Sequence, residues 1–120
     1  MTIDKTTVQV PGAALPPVIT AYLAAQLARD ATSALAAFTA DAVVTDEGRT
    51  YRGRQQIAAW LGRAASEYTY TTEFTGSTQN GPESYDVTAH LEGDFPGGVA
   101  DLHFRFVLDG ALIARLVIEP

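Results

Sequence analysis

Asp46 stands where an acid can do chemistry. It follows the β-branched run Ala42-Val43-Val44-Thr45 and opens the turn Asp46-Glu47-Gly48, so it marks the end of a strand. A carboxylate at the rim of an apolar pocket loses hydration, and its pKa rises toward values useful for proton transfer. The same residue also suits a structural task, opening the turn through an Asx-type hydrogen bond. Tyr22 is the second candidate. It belongs to the series Leu15, Val18, Ile19, Tyr22, Leu23 and Leu27, whose spacing places it on one stripe of a helix running to about Arg29. A hydroxyl there can donate to a developing enolate oxygen, or bond backbone or water as a core tyrosine does.

Aromatic residues supply the walls such a site needs. Trp60 shares the stripe Ile57, Trp60, Leu61 and Ala64 of a later helix, where it either lines a ligand pocket or fills core. Phe104 and Phe106 fall on the apolar face of a late strand and are expected to contact a ligand. Tyr51, Tyr68 and Tyr70 can add to the wall. His90 and His103 share polar strand faces with Asp86 and Asp101, and a turn at Gly93 to Gly98 would bring His90 near Asp101. Asp and His at that spacing can bind a metal, but exposed cross-strand pairs of this kind are ordinary, so no metal site is expected. Arg52 and Arg54 flank Gly53 and are expected to be solvated or paired with local acids.

Several chemistries are excluded by what is missing. The sequence has no cysteine, hence no thiolate nucleophile, no thiolate zinc site and no disulfide. It contains no dinucleotide or phosphate-loop glycine motif, no His-Glu-x-x-His and no Gly-x-Ser-x-Gly. No cofactor is therefore expected. The charge balance is 8 − 14 = −6, which argues against nucleic acid or an anionic membrane as partner. No secretion signal or apolar stretch long enough to span a bilayer is apparent, which fits a cytoplasmic location.

The elements that must position these residues follow from periodicity. The chain has 120 residues, 47% of them hydrophobic and 18% charged, a composition suited to one globular domain. Residues 1–14 form an N-terminal arm, loose or added as an edge strand, and residues 15–120 one domain. A first helix starts near Pro16 or Pro17. A short second helix is capped by Thr32 or Ser33, with Leu35 and Phe38 facing inward. Strands are expected at 42–45 and 50–52. Gly53 serves a sharp strand-to-helix change, and a third helix begins near Arg54. From Glu67 the period becomes two, with strands at 68–77, 85–92, 101–108 and 112–118. Gln79-Asn80-Gly81-Pro82 and Asp109-Gly110 supply turns. Helices followed by a long meander imply an α+β fold, with a curved antiparallel sheet wrapped around the N-terminal helices.

The stretch Phe38-Thr39-Ala40-Asp41-Ala42-Val43-Val44-Thr45-Asp46, with Gly48, Tyr51-Arg52-Gly53-Arg54, Ile57 and Trp60, resembles the opening of SnoaL-like domains of the nuclear transport factor 2-like superfamily. Gly93-Asp94-Phe95-Pro96-Gly97, Phe104-Arg105-Phe106, Leu108-Asp109-Gly110 and Ile113 resemble its later part. The resemblance implies a cone-shaped sheet around an apolar pocket, and often a homodimer paired sheet to sheet. The superfamily spans isomerases, cyclases, dehydratases and non-catalytic binders, so fold does not give function. Ketosteroid isomerases of this kind place a base at the position resembling Asp46 and an oxyanion tyrosine on the first helix, as Tyr22 stands, 46 − 22 = 24 positions earlier. They also carry a second oxyanion acid just before a run like His103-Phe104-Arg105-Phe106. Here that position is Leu102, and Asp101 points to the opposite strand face. Two readings remain open. One is a cofactor-free isomerase, cyclase or dehydratase acting on a small apolar molecule. The other is a non-catalytic ligand-binding or dimeric accessory domain.

Overall fold

The structure is a computed structural model that describes residues 10–120, without the side chains of residues 64–66. The expected arm therefore lies outside the described residues over 1–9, and so does the expected inward placement of the Ala64 side chain. Helix α1 spans Pro17–Leu27, α2 Ala31–Leu35 and α3 Gly53–Glu67. The strands are β1 (Phe38–Asp46), β2 (Arg49–Arg52), β3 (Tyr70–Gly81), β4 (Ser84–Gly93), β5 (Val99–Asp109) and β6 (Leu112–Glu119). They form one curved, unclosed sheet in the order β2-β1-β6-β5-β4-β3. The α+β class is as expected. The sheet is mixed rather than wholly antiparallel, because β1 and β6 run parallel.

Local chemistry explains most element ends. Pro17 occupies the first turn of α1, where its missing N–H leaves no bond unmade. Asp30, rather than Thr32 or Ser33, caps α2. Its carboxylate accepts from the Ser33 backbone N–H at 3.1 Å and from the Ser33 hydroxyl at 2.6 Å, which satisfies an otherwise orphaned helix donor. Phe38 is not on α2 but begins β1, fully buried. The β1–β6 register shifts between Phe38 and Val43. The Arg54 guanidinium donates to the Phe38 carbonyl oxygen at 2.6 Å, so Arg54 secures this irregular segment instead of meeting solvent or an acid. Gly53 has φ +79°, a conformation that costs glycine little, and it allows β2 to turn directly into α3.

Strand β3 is longer than expected. It continues through the residues read as a turn, and Pro82 and Glu83 alone connect it to β4. The described end of the arm lies along it: Gly12 bridges Ser77, and the Ser77 hydroxyl donates to the carbonyl oxygens of Pro11 and Ala13. On α1, Ile19, Tyr22 and Leu23 are buried, but Leu27 is 48% exposed. The inward stripe continues instead through Ala25 and Gln26, which stand three and four residues after Tyr22.

The helices cover the sheet unevenly. α3 packs on β1 and β2, and α1 reaches β6. Register sorts the concave face into rows. Val44, Leu116, Phe106 and Tyr85 lie side by side across β1, β6, β5 and β4. The next row is Asp46, Ile118, Phe104 and Val87. Because side chains alternate along a strand, Leu102 and Ala100 continue this face beyond Phe104. The rows at and below Phe106 are filled by helix side chains, and Phe38 and Phe106 meet Tyr22 edge-on at 5.4 and 5.8 Å. The rows from Phe104 outward border open space.

Candidate functional site

That space is a cavity of about 840 Å³, within the size of ordinary small-molecule sites. Tyr22, Asp46, Trp60 and Phe104 all line it. Tyr51, Tyr68 and Tyr70, whose faces the sequence leaves open, line it as well. Phe106 does not: its row is one step deeper, under Tyr22, where it packs as core.

Asp46 is carried to the cavity by the hairpin it opens. Glu47 and Gly48 have φ of +53° and +75°, the pattern of a tight two-residue turn. Glycine takes such a conformation readily, but glutamate does so at a cost, and strain of this kind gathers at functional sites. The turn returns the chain into β2, with Asp46 opposite Arg49. Two turns into α3, the Trp60 indole N–H donates to Asp46 Oδ2 at 3.0 Å. Trp60 is therefore both wall and hydrogen-bond donor, a role its apolar stripe does not announce. Loss of hydration pushes the Asp46 carboxyl above the ordinary carboxylate range. The Trp60 bond works against that rise, while the neighbouring charge of Glu47 adds to it. The Glu47 backbone N–H also bonds the carboxylate, so the turn-forming role of Asp46 and its exposure to the cavity coexist.

Tyr22 is fully buried, and its hydroxyl has no hydrogen-bond partner among the described residues. Burial pushes its phenol well above the ordinary tyrosine range, with Asp46 and Tyr70 adding to the rise. The phenol therefore stays protonated around neutral pH. Gln26, one turn further along α1, also lines the cavity and presents a sealed Oε1 without a partner. Sequence reasoning missed it. The available signal was its i+4 spacing from Tyr22 on the same stripe.

The mouth is aromatic and charged. Tyr51 tilts against Trp60 with ring centroids 6.1 Å apart, and Arg63 donates to the Tyr51 hydroxyl at 2.6 Å. The Arg29 guanidinium lies 5.0 Å from the Tyr70 ring centre and donates to the Tyr68 carbonyl. Phe95, in the β4–β5 turn, meets both Tyr68 and Tyr70 edge-on. Outside the cavity, His90 bonds Asp101 at 2.7 Å, the cross-strand pairing that the register requires, and Glu92 two residues along its own strand at 2.8 Å. These bonds, Asp101 first, raise the His90 pKa. His103 bonds both carboxylate oxygens of Asp86. Among the described residues no group of three metal-ligating side chains is arranged to hold a metal ion, and no helix is long and apolar enough to cross a membrane.

No family model matches the sequence, and no curated protein matches it either. Solved structures do. A candidate polyketide cyclase from Sinorhizobium meliloti is 33% identical, with a TM-score of 0.82 over 88% of this chain and 95% of that one. A protein of ketosteroid isomerase-like fold from Catenulispora acidiphila, solved with trimethylamine, is 20% identical with a TM-score of 0.77 over 89% and 87%. A Mycobacterium tuberculosis protein, solved with estradiol-17β-hemisuccinate, is 15% identical with a TM-score of 0.72 over 86% and 90%. The last two likenesses establish fold alone.

An unbonded hydroxyl sealed in a protein costs about 1–3 kcal/mol. Tyr22→Phe removes that hydroxyl while keeping the ring contacts with Phe38 and Phe106. The variant is expected to be about 1 kcal/mol more stable than the parent, a rise of a few degrees in Tm by calorimetry. A clear fall in Tm would mean the hydroxyl is bonded in solution.

Proposed function

The chain belongs to the SnoaL-like, nuclear transport factor 2-like superfamily, and from that premise we propose that it is a cofactor-free enzyme moving a proton next to a carbonyl of a small, largely apolar molecule. The observation that carries this reading is a half-buried carboxylate, Asp46, sharing a cavity with the unpartnered hydroxyl of Tyr22. In the reading, the Asp46 carboxylate takes a proton from the carbon beside the carbonyl. The C–H electron pair moves into a C=C bond, and the carbonyl oxygen gains the negative charge of an enolate. The Tyr22 O–H donates to that oxygen, a bond that strengthens as charge develops there. Protonated Asp46 then returns the proton to carbon. Return at a different position is isomerisation; if the enolate carbon instead attacks a second carbonyl of the same molecule, a C–C bond forms, that carbonyl's π pair moves to its oxygen, and Asp46 gives its proton to that oxygen, which is ring closure. The raised pKa of Asp46 suits this exchange, because a base is most effective near the working pH. Trp60 fixes the orientation of the carboxylate, and the aromatic walls exclude water, which strengthens every polar contact within.

A second reading, a non-catalytic binder, has one observation in its favour. Leu102 occupies the position where a second oxyanion acid would stand, and Asp101 faces away with its side chain 82% exposed. Tyr22 would then be the principal donor to the developing charge. Asp46→Asn separates the two readings. Asparagine keeps the size, can still accept from Trp60 and cannot act as a base. Screened against small cyclic ketones by solvent deuterium exchange next to the carbonyl, the parent is expected to catalyse exchange and the variant to lose roughly 10²–10⁴-fold. No exchange above background with the parent would leave the binder, and equal catalysed exchange by both proteins would remove Asp46 as the base.

We also propose that two copies pair through the outer face of the sheet. Val99 and Val107 of β5 stand 59% and 38% exposed, and two-fold dimers are the commonest small assemblies. Light scattering at tens of micromolar is expected to give twice the chain mass, with a specific interface burying more than about 1,000 Å². A single-chain mass would contradict it.

A further inference from the structure

Among the described residues, two buried side-chain atoms lack any hydrogen-bond partner: the Tyr22 hydroxyl and Gln26 Oε1. Both residues belong to α1 and line the cavity, and they stand four positions apart. Residues at that spacing sit one above the other on a helix, separated by about 5.4 Å along the axis. Each unmet group costs stability while the cavity holds nothing that bonds it. Their placement is not forced by packing. The neighbouring inward position is Ala25, and the next apolar residue, Leu27, faces solvent. A leucine or methionine at position 26 would fill the same volume with no unmet polar atom. Tyr22 and Gln26 thus bring polar groups to the lining from α1, while Phe104, Leu102, Ala100 and Leu91 bring apolar side chains from the sheet.

We infer that Gln26 is a specificity-determining residue of this pocket: it accepts a hydrogen bond from a ligand hydroxyl about one helical turn from the carbonyl that meets Tyr22. The inference deepens the proposed function and rests on its placing of the carbonyl at Tyr22. It names the ligand class as a hydroxylated cyclic ketone, with one carbonyl and one hydroxyl on opposite ends of a ring. An all-hydrocarbon ligand, or a ketone without that hydroxyl, leaves Oε1 unpaired. Sites built to bond a hydroxyl discriminate strongly against analogues lacking it.

The test uses 1-tetralone and racemic 4-hydroxy-1-tetralone, which differ only by a hydroxyl across the ring from the carbonyl. Trp60 is the only tryptophan of the chain and lines the cavity, so quenching of its fluorescence reads occupancy. The parent is expected to bind the hydroxyketone about tenfold more tightly than the plain ketone, the effect of one well-placed hydrogen bond against an unmet one. Gln26→Leu is expected to erase that preference, by weakening the hydroxyketone and leaving 1-tetralone bound as well as before or better. Gln26→Met repeats the measurement with a side chain closer in length, in case leucine disturbs α1. A preference that survives in a folded variant overturns the role of Gln26 while the pocket stands. Equal binding of both ketones by the parent does the same. Failure of both ketones to quench Trp60 in the parent overturns the pocket reading and this inference together.

Discussion

The hydrogen bond from Trp60 to Asp46 is the contact on which the proposed chemistry depends. It connects the end of β1 to the middle of α3, and each step between them is prescribed. Glu47 and Gly48 take left-handed backbone so that β1 can reverse into β2. Gly53 takes positive φ so that β2 can break into α3 without a loop. Seven residues, two helical turns, then bring Trp60 back over the strand it left. The bond keeps Asp46 directed at the cavity rim and lowers the cost of holding a carboxylate where hydration is poor. Without it, the acid would be free to turn toward solvent beside Arg49.

Uneven cover of the sheet makes the cavity. The helices seal the rows of Phe106 and below, where Tyr22, Phe38, Val44 and Leu116 pack without exposure. One row outward, at Asp46, Ile118 and Phe104, the cover ends and the space opens. Asp46 and Tyr22 therefore stand on the border between filled core and open pocket. That position explains why both carry raised pKa values, chiefly from loss of hydration, with nearby acidic groups adding to the rise. It also explains the apparent waste of two unpaired polar atoms on α1. A surface that is apolar on the sheet side and polar along one helix stripe can orient a molecule that packing alone would hold in many ways.

Much of this was legible in the sequence, and the remainder was hidden for identifiable reasons. The gathering of Asp46, Tyr22 and Trp60 followed from local patterns: a β-branched run ending in an acid, and two helical stripes. The resemblance carried by Phe38 to Trp60 supplied the same frame. The parallel pairing of β1 with β6 was not legible, because periodicity sets the face of a residue but not which distant strand lies beside it. For the same reason Phe104 and Phe106 looked equivalent. Alternation placed both inward, and only the register with Val44 and Asp46 separates core from cavity. Phe38 was read onto a helix because a short α2 and an irregular β1 adjoin without a breaker. Gln26 escaped notice because a polar residue on an apolar stripe reads as an edge position until the cavity beneath it is seen.

The central claim is that Asp46 is a poorly hydrated pocket acid rather than a solvated turn residue, and its own titration tests this most directly. Carbon-13 NMR of the Asp46 carboxyl in the ligand-free protein would follow the group across the acid range. The account predicts a midpoint clearly above the ordinary value of 3.8. The sign has a consequence for folding. A carboxyl whose folded pKa is raised takes up a proton on folding, so its contribution to stability falls as pH climbs from 3.8 through the folded midpoint. A midpoint at or below 3.8 would contradict the account, placing the carboxylate in water or in a strong bond and removing it from proton transfer.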